Sequence, residues 1–540
     1  MSLDDKKTTE SSGEDVFSAF EEVNEVHSEK ASKRRLSKRA RTLILTSGLA
    51  VLLAVLLLLL TLFPGGGNGG SSNSSTPTPD TSIVLLDKTI KDTVAISRVD
   101  IQNADDTYTL LYDTAKKQLL LQGYEDIGLD QELTDTLIAY TTLISAADQV
   151  HTPGDLKDYG LDTPRAVGTI TYTDGTAATV TVGNPTPAED RYYGQLSGSD
   201  AVYMFDSDSV YLFTVRRTAF ADTTLLSAPT VKKEDADGTA VLKEISYTGK
   251  SHPTPLKIRR SYSTDSEEMA LFSYVIEQPY QRGASDAAIS QLSNFKSLQA
   301  AQALYLHPTA EQKKKLGFND PLIVMNITMA VETTESATSD TQTEKKTYYN
   351  SYSSTITVGS LDSSSHYVVM VEGIDAIFLV DHTALSPVAD RTYDNTVNQL
   401  LFLKNIRQFG RISVTVNGKN YDFHLAHHPE KEDNDETLVV TANGKTYPTE
   451  DFRELYQMLM SLERYGSTDR SYEKSAVLKV DVYTNDGAHY LGATYYPISG
   501  TLCAVETSEG EVFTTRWRNV THFMEQVENY INGKKVIILT

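Results

Sequence analysis

Apolar and polar residues alternate along most of the chain. They do so in short runs separated by Asp-Gly, Asn-Gly and Gly-Ser pairs, the signature of antiparallel strands joined by tight turns. Strands are expected over residues 95–102, 107–112 and 118–121, and again over 410–416, 420–425 and 437–441. Asn417-Gly418 between two of these runs is a type I′ hairpin signal. A period of 3.6 interrupts the alternation three times. It predicts helices over residues 131–147, with Leu133, Leu137, Tyr140 and Ile144 on one face, over 285–303 capped by Ser285, and over 450–465 capped by Thr449. The recurring unit, a β-meander, a helix and a second meander, reads as α+β with the helix packed on an antiparallel sheet.

Residues 42–63, TLILTSGLAVLLAVLLLLLTLF, break this pattern. As a helix they would extend about 33 Å, enough to cross a hydrocarbon core of about 30 Å. Lys30, Lys33, Arg34, Arg35, Lys38, Arg39 and Arg41 lie before them, and the glycine-rich flank after them has no basic residue. The positive-inside rule puts the N-terminus in the cytoplasm and the rest outside. A cleaved signal peptide is disfavoured by the long apolar region, the long n-region and the lack of an A-x-A-like site. The only cysteine, Cys503, is too distant for a lipoprotein anchor, and so long an apolar run does not suit a core helix. An uncleaved signal anchor is expected, localising the protein to the cell membrane as a single-pass protein in contact with the lipid bilayer.

The chain divides accordingly. Residues 1–41 form a cytoplasmic tail expected to be disordered, 42–63 the transmembrane helix, and 64–82 a flexible Gly/Ser/Pro linker. Three tandem repeats come next, at 83–229, 230–390 and 391–540. Tyr159-Gly160-Leu161-Asp162-Thr163-Pro164 is matched by Leu316-Gly317-Phe318-Asn319-Asp320-Pro321, with both Gly160 to Gly317 and Pro164 to Pro321 spaced by 157. Thr179-Val180-Thr181-Val182-Gly183 is matched 176 residues on by Thr355-Ile356-Thr357-Val358-Gly359, the extra length being a polar insertion around 333–346. Ala201-Val202-Tyr203-Met204-Phe205-Asp206 is matched 175 residues on by Ala376-Ile377-Phe378-Leu379-Val380-Asp381. The third copy is divergent. Val482-Tyr483-Thr484-Asn485-Asp486-Gly487 echoes Ile170-Thr171-Tyr172-Thr173-Asp174-Gly175, but only Arg464-Tyr465-Gly466 stands where the Gly-x-x-x-Pro block belongs.

Charge changes the picture by exclusion. The acidic and basic residues before Thr42 cancel, so the formal net charge of −23 sits on the part after the apolar segment. That part should repel nucleic acid, and no nucleic-acid partner is expected. One cysteine means no internal disulfide, and Cys503, in an apolar strand-like run, reads as a small buried hydrophobe.

Candidate chemistry is sparse. His424, His427 and His428 precede Glu430, Glu432, Asp433, Asp435 and Glu436, and one hairpin carrying imidazoles and carboxylates could ligate zinc or calcium. Residues three apart on a strand point to opposite faces, so a solvated loop is the better reading. Gly444-Lys445-Thr446 resembles the end of a P-loop, yet its first glycine would fall at Val439, and Asn443-Gly444 reads as a turn. Ser293-x-x-Lys296 lacks the companion elements of penicillin-binding enzymes. The 30 tyrosines could stack on sugars, but tyrosine also favours strands. No catalytic, cofactor-binding or metal residue is assigned, no cofactor is expected, and an enzyme is not expected.

Tyr159-Gly160-Leu161-x-x-Pro164, Asp174-Gly175, Val182-Gly183, Tyr192-Tyr193 and Val202-Tyr203 occur in an order that resembles a bacterial family catalogued as domain of unknown function 4340. The resemblance implies a membrane-anchored, extracytoplasmic domain in tandem copies, with no catalytic residues to carry over. Some members resemble partners of ABC-type export systems. The expected function is therefore that of a non-catalytic accessory or binding component of a bacterial cell-envelope complex, contacting ABC-type transporter subunits or other envelope proteins. The alternative is a stand-alone protein that binds a wall glycan or polymer, or acts as a spacer.

Overall fold

The computed structural model describes residues 82–91, 93–235, 237–335, 345–427, 438–468 and 471–538. The expected tail and the apolar segment 42–63 lie outside them, and so does His428. Among the described residues no helix is long and apolar enough to cross a membrane. The architecture is α+β, with three large sheets in which the paired strands run antiparallel.

The chain divides into two compact units. One holds the residues up to Asp222 with Gln302–Leu316 and Asp362–Ser365, and the other holds Thr223–Ala301, Gly317–Leu361 and His366–Thr540. In the first unit the sheet runs Gln118–Leu121, Thr107–Asp113, Ile96–Asn103, Ala166–Tyr172, Ala177–Pro185, Arg191–Leu196, Tyr203–Asp206 and Asp148–Gln149. Ala166–Tyr172 alternates buried and half-buried residues without a break. That is the pattern of a sheet with one face packed on a core. Helices α1 (Gln131–Thr142) and α2 (Ser207–Thr214) touch each other and cover the sheet, burying Leu137 and Phe213 with Val99, Ile170 and Val180.

The second unit contains two such sheets. One runs from Arg282–Gly283 through Tyr274–Gln278, Leu256–Arg260, Thr239–Thr248, Ile323–Glu335, Lys345–Leu361 and Tyr367–Val371 to Ile374–Val380. Helices α3 (Asp286–Asn294) and α4 (His382–Ala389) belong to it. The other runs from Lys445–Tyr447 through Leu438–Ala442, Lys419–His427, Phe409–Val416, Leu478–Thr484, His489–Pro497 and Leu502–Thr507 to Val512–Arg516. It carries α5 (Thr449–Met460) and α6 (Trp517–Ile531), which pack together. In every sheet the first meander lies in reverse order beside the second.

Individual hydrogen bonds correspond as well. The residue entering the second meander donates to a neighbouring strand in all three sheets: Arg165 N to Val182 O at 2.8 Å, Leu322 N to Val358 O at 2.9 Å, and Val477 N to Tyr495 O at 3.0 Å. A residue beyond the first helix bonds to the sheet's late strand in each: Ala147 N to Met204 O at 2.8 Å, Ala301 N to Leu379 O at 2.8 Å, and Tyr465 N to Thr514 O at 2.7 Å. Arg464-Tyr465-Gly466 therefore occupies this later-strand pairing and is no remnant of the Gly-x-x-x-Pro block.

The matched glycines have a steric role. Gly160 (φ 68°) and Gly317 (φ 87°) both lie in the left-handed region. A Cβ on Gly317 would come within 2.4 Å of the Gly359 carbonyl oxygen, and one on Gly183 within 2.2 Å of the Tyr159 carbonyl oxygen. Each Gly-x-x-x-Pro turn thus lies directly on the end of the Val-Gly strand. Asn417 (φ 49°) and Gly418 (φ 81°) form the expected hairpin turn.

The helices differ from expectation at their ends. α1 stops at Thr142, and Leu143–Ala146 becomes a strand paired with Ile83–Asp87. Ile144 continued the helical spacing, yet it is buried as a strand residue. α3 ends at Asn294, since Leu298–Gln299 pairs with Thr224–Leu226. Ser285 caps it as expected, its side chain accepting from Ala288 N. α5 begins at Thr449 itself, with Pro448 as the cap residue, and the Thr449 hydroxyl donates to Leu438 O at 2.7 Å. The helices α2, α4 and α6, each placed after the last strand of its sheet, were not expected.

Candidate functional site

A buried polar cluster lies within the second unit, around Glu511. The turn after Leu502–Thr507 is closed by Gly510 (φ 87°) and by Thr507 N, which donates to Glu511 O at 3.0 Å. This places the Glu511 carboxylate, 2% exposed, ahead of strand Val512–Arg516. It accepts from Arg282 Nη2 at 2.9 Å, from the Tyr393 hydroxyl at 2.8 Å and from Arg464 Nε at 3.3 Å. Arg282 also reaches Glu509 at 2.6 Å. Arg464 pairs with Asp394, whose other contacts are the Ser467 hydroxyl at 2.6 Å and the Ser467 N–H at 3.1 Å.

The charges respond to this arrangement. Burial works upward on the Asp394 carboxyl, but the Ser467 and Arg464 donors outweigh it and hold the pKa below the ordinary value. Burial, reinforced by Glu511, pushes the Tyr393 phenol well above its usual range and keeps it a neutral donor. A cavity of about 350 Å³ opens beside the cluster, with His252, Thr254, Tyr280, Thr392 and Asp394 in its wall.

A larger open cleft, about 960 Å³, lies elsewhere in the same unit. One wall is the turn Glu267–Ala270 with Leu271, and another is the segment 403–408. The third is a single face of α5: Arg453, Tyr456, Gln457 and Met460, spaced i, i+3, i+4 and i+7. Tyr490 donates to Glu268, Gln408 Nε2 to Glu267 at 3.0 Å, and the Tyr456 hydroxyl to Lys404 O at 2.5 Å. Leu271 is 71% exposed at the rim. Such a surface offers apolar contact with fixed polar groups around it, the chemistry of a docking site.

The residues singled out in the sequence are dispersed. His427 Nε2 bonds to Phe409 O at 2.9 Å, while His424 is exposed on the same strand, 3.7 Å from Asp422. Among the described residues no group of three or more His, Cys, Asp or Glu side chains could hold a metal. Lys296 lies beyond the end of α3 and donates to Ala240 O at 2.6 Å. Asn443 and Gly444 have the positive φ values of a hairpin turn, so Gly444-Lys445-Thr446 is no phosphate loop. Cys503 is buried, and burial pushes its thiol up to about 12. Many tyrosines, among them Tyr247, Tyr274, Tyr367, Tyr495 and Tyr530, are interior. Glu511 gave no local signal, because its partners come from distant parts of the chain.

No curated protein and no solved structure matches the chain. One family model does, from the last strand of the first meander to the proline that ends the second Gly-x-x-x-Pro block: over residues 120–321 the chain is similar to the family described as Domain of unknown function (DUF4340).

Proposed function

We propose that this is a single-pass, membrane-anchored extracytoplasmic protein that presents three tandem copies of one α+β domain. It acts as an accessory or binding component of a cell-envelope complex, such as an ABC-type export system, and no reaction is assigned to it. The observation that carries the reading is the correspondence of the three sheets, in strand order and in individual hydrogen bonds. A chain that repeats one scaffold after an apolar segment and a Gly/Ser/Pro-rich stretch devotes its mass to displayed surface. The cleft with Leu271 at its rim supplies a place for a partner chain to dock. Interior tyrosines favour a protein partner over the alternative, a stand-alone wall-polymer binder, which would need exposed rings.

The test is cross-linking in intact cells followed by capture of the full-length chain from membranes. Transporter or other envelope subunits should be enriched, and replacing Leu271 by Asp should reduce the yield. Partition of the chain into the soluble fraction, or capture without any envelope subunit, would refute the reading. Retention on purified cell wall instead would favour the polymer-binding alternative.

A further inference from the structure

Leu271 has the greatest exposure of any large apolar side chain among the described residues, 71%. It follows a turn that is fixed from several sides. Asp265, just before the turn, accepts from Arg259 Nη1 at 2.8 Å, from Arg259 Nη2 at 2.7 Å and from Tyr262 N at 2.7 Å. The Ser266 hydroxyl caps the turn by accepting from Met269 N at 3.3 Å. Ala270 N bonds back to Ser266 O at 2.8 Å, and Phe272 N to Met269 O at 3.1 Å. Met269 itself is buried. A leucine on a loose loop can fold away from water. This one is held out, so contact with it costs little conformational entropy.

The open cleft that Leu271 borders combines apolar and charged lining. Ile406 and Met460 are half-buried and pack against the core that holds Phe452 and Leu455 of α5. Lys404, Arg407 and Arg453 supply three cations, against two carboxylates, Glu267 and Glu268. Arg407 is exposed, and Lys404 and Arg453 are half-buried. Both carboxylates already accept from neutral donors of the protein, Glu267 from Gln408 and Glu268 from Tyr490. The lining is thus net positive, in a chain whose formal net charge is −23. A second copy of so acidic a chain would be repelled as a body. At about 960 Å³ the cleft reaches the upper end of small-molecule sites, about 1,000 Å³, and its open form suits a chain segment better.

We propose that this cleft takes an acidic segment of a partner chain. Its apolar side chains seat against Leu271, Ile406 and Met460, and its carboxylates face Lys404, Arg407 and Arg453. The inference rests on the docking role proposed above and adds the chemistry of the partner. Opposite charges at an exposed rim speed encounter and weaken as salt rises.

The test uses the full-length chain in lipid nanodiscs, with empty discs as the control. The probes are fluorescent peptides that share the same leucines, interspersed with glutamate, glutamine or lysine, and the readout is anisotropy. The glutamate peptide should bind saturably beyond empty discs, at least about five-fold tighter than the glutamine peptide, the effect of exposed charge pairs. That advantage should shrink as salt is raised, and the lysine peptide should bind weakest. Leu271→Asp should weaken binding of the glutamate peptide. Arg407→Glu should reverse the order, so that the lysine peptide binds tighter than the glutamate one. Lys404→Glu serves if Arg407→Glu does not fold, and the comparison of peptides on the unmodified chain needs no variant. Absence of saturable binding overturns the inference, as does a lysine peptide that binds the unmodified chain as tightly as the glutamate one. So does concentration-dependent dimerisation that Leu271→Asp abolishes, since a second copy would then be the occupant. Capture of envelope subunits that Leu271→Asp reduces, with no charge preference among the peptides, removes the acidic partner and leaves the docking role standing.

Discussion

Replacing Glu511 with alanine removes the acceptor shared by Arg282, Tyr393 and Arg464 and leaves buried cations facing one another. Breaking a buried ion pair from one side costs about 3–5 kcal/mol, and urea unfolding of Glu511→Ala should show a loss of that size. Glu511→Gln keeps an acceptor and should lose less. Gly317→Ala tests a different kind of residue. Its backbone is left-handed and its Cβ would meet a carbonyl oxygen that cannot swing away. A loss of at least about 2 kcal/mol is expected in the same measurement, since strain and overpacking act together. A Gly317→Ala chain as stable as the parent would remove the steric reading of the repeated motif. The two sites differ in how far the sequence exposes them. Gly317 stands out because Gly160 precedes a proline at the same spacing. Glu511 could not stand out, since its bonds to Arg464, Tyr393 and Arg282 span 47, 118 and 229 residues.

Strands were legible almost to the residue, whereas helix ends were not, and the reason lies in the segments just beyond the helices. Ile144 continues the apolar period of α1 and Leu462 that of α5, and both are buried. Burial by a strand or loop leaves the same trace in the sequence as burial by another helical turn. The helices α2 and α4 have eight residues each, too few for a period to show. α6 is different: Val520, Phe523, Met524, Val527 and Tyr530 are buried at i, i+3, i+4, i+7 and i+10, a pattern open to reading. Cap chemistry was legible where a hydroxyl precedes the helix. Ser285→Ala should cost about 1 kcal/mol, measured by thermal unfolding. Thr449→Ala should act through the lost bond to Leu438 O and not through the helix start. Amide exchange separates the two effects, because Ala288 N is bonded by the Ser285 cap and should lose protection in Ser285→Ala alone.

At the scale of the whole molecule, acid should be the natural denaturant. Asp106 in the first unit receives Arg217 Nη2 at 2.5 Å and the Arg217 N–H at 2.9 Å. Burial raises its pKa, but these bonds outweigh burial and hold it below the ordinary carboxylate value. The same balance, with Arg259 and Arg260 as donors, depresses Asp265, Glu277 and Glu332 in the second unit. A depressed folded-state pKa contributes stability that is complete above the unfolded value and disappears as pH falls through the folded one. Stability should therefore be flat near neutrality and fall once pH drops below about 4. Asp106→Asn should lose about 2 kcal/mol at pH 7 and nothing further in strong acid, as read from denaturant midpoints across pH. Glu511 has a consequence of another order, in time. At about 5–20 residues per second, synthesis delivers Glu511 on the order of 11–46 seconds after Arg282, 229 residues earlier. Throughout that interval the Arg282 side chain must wait in water, so its part of the chain cannot reach its final packing until the last strands have left the ribosome. A premature stop codon before residue 511 would therefore do more than delete the end of the protein. It would withhold the counter-charge from a segment already made, and such chains should be degraded whole rather than survive as shortened ones.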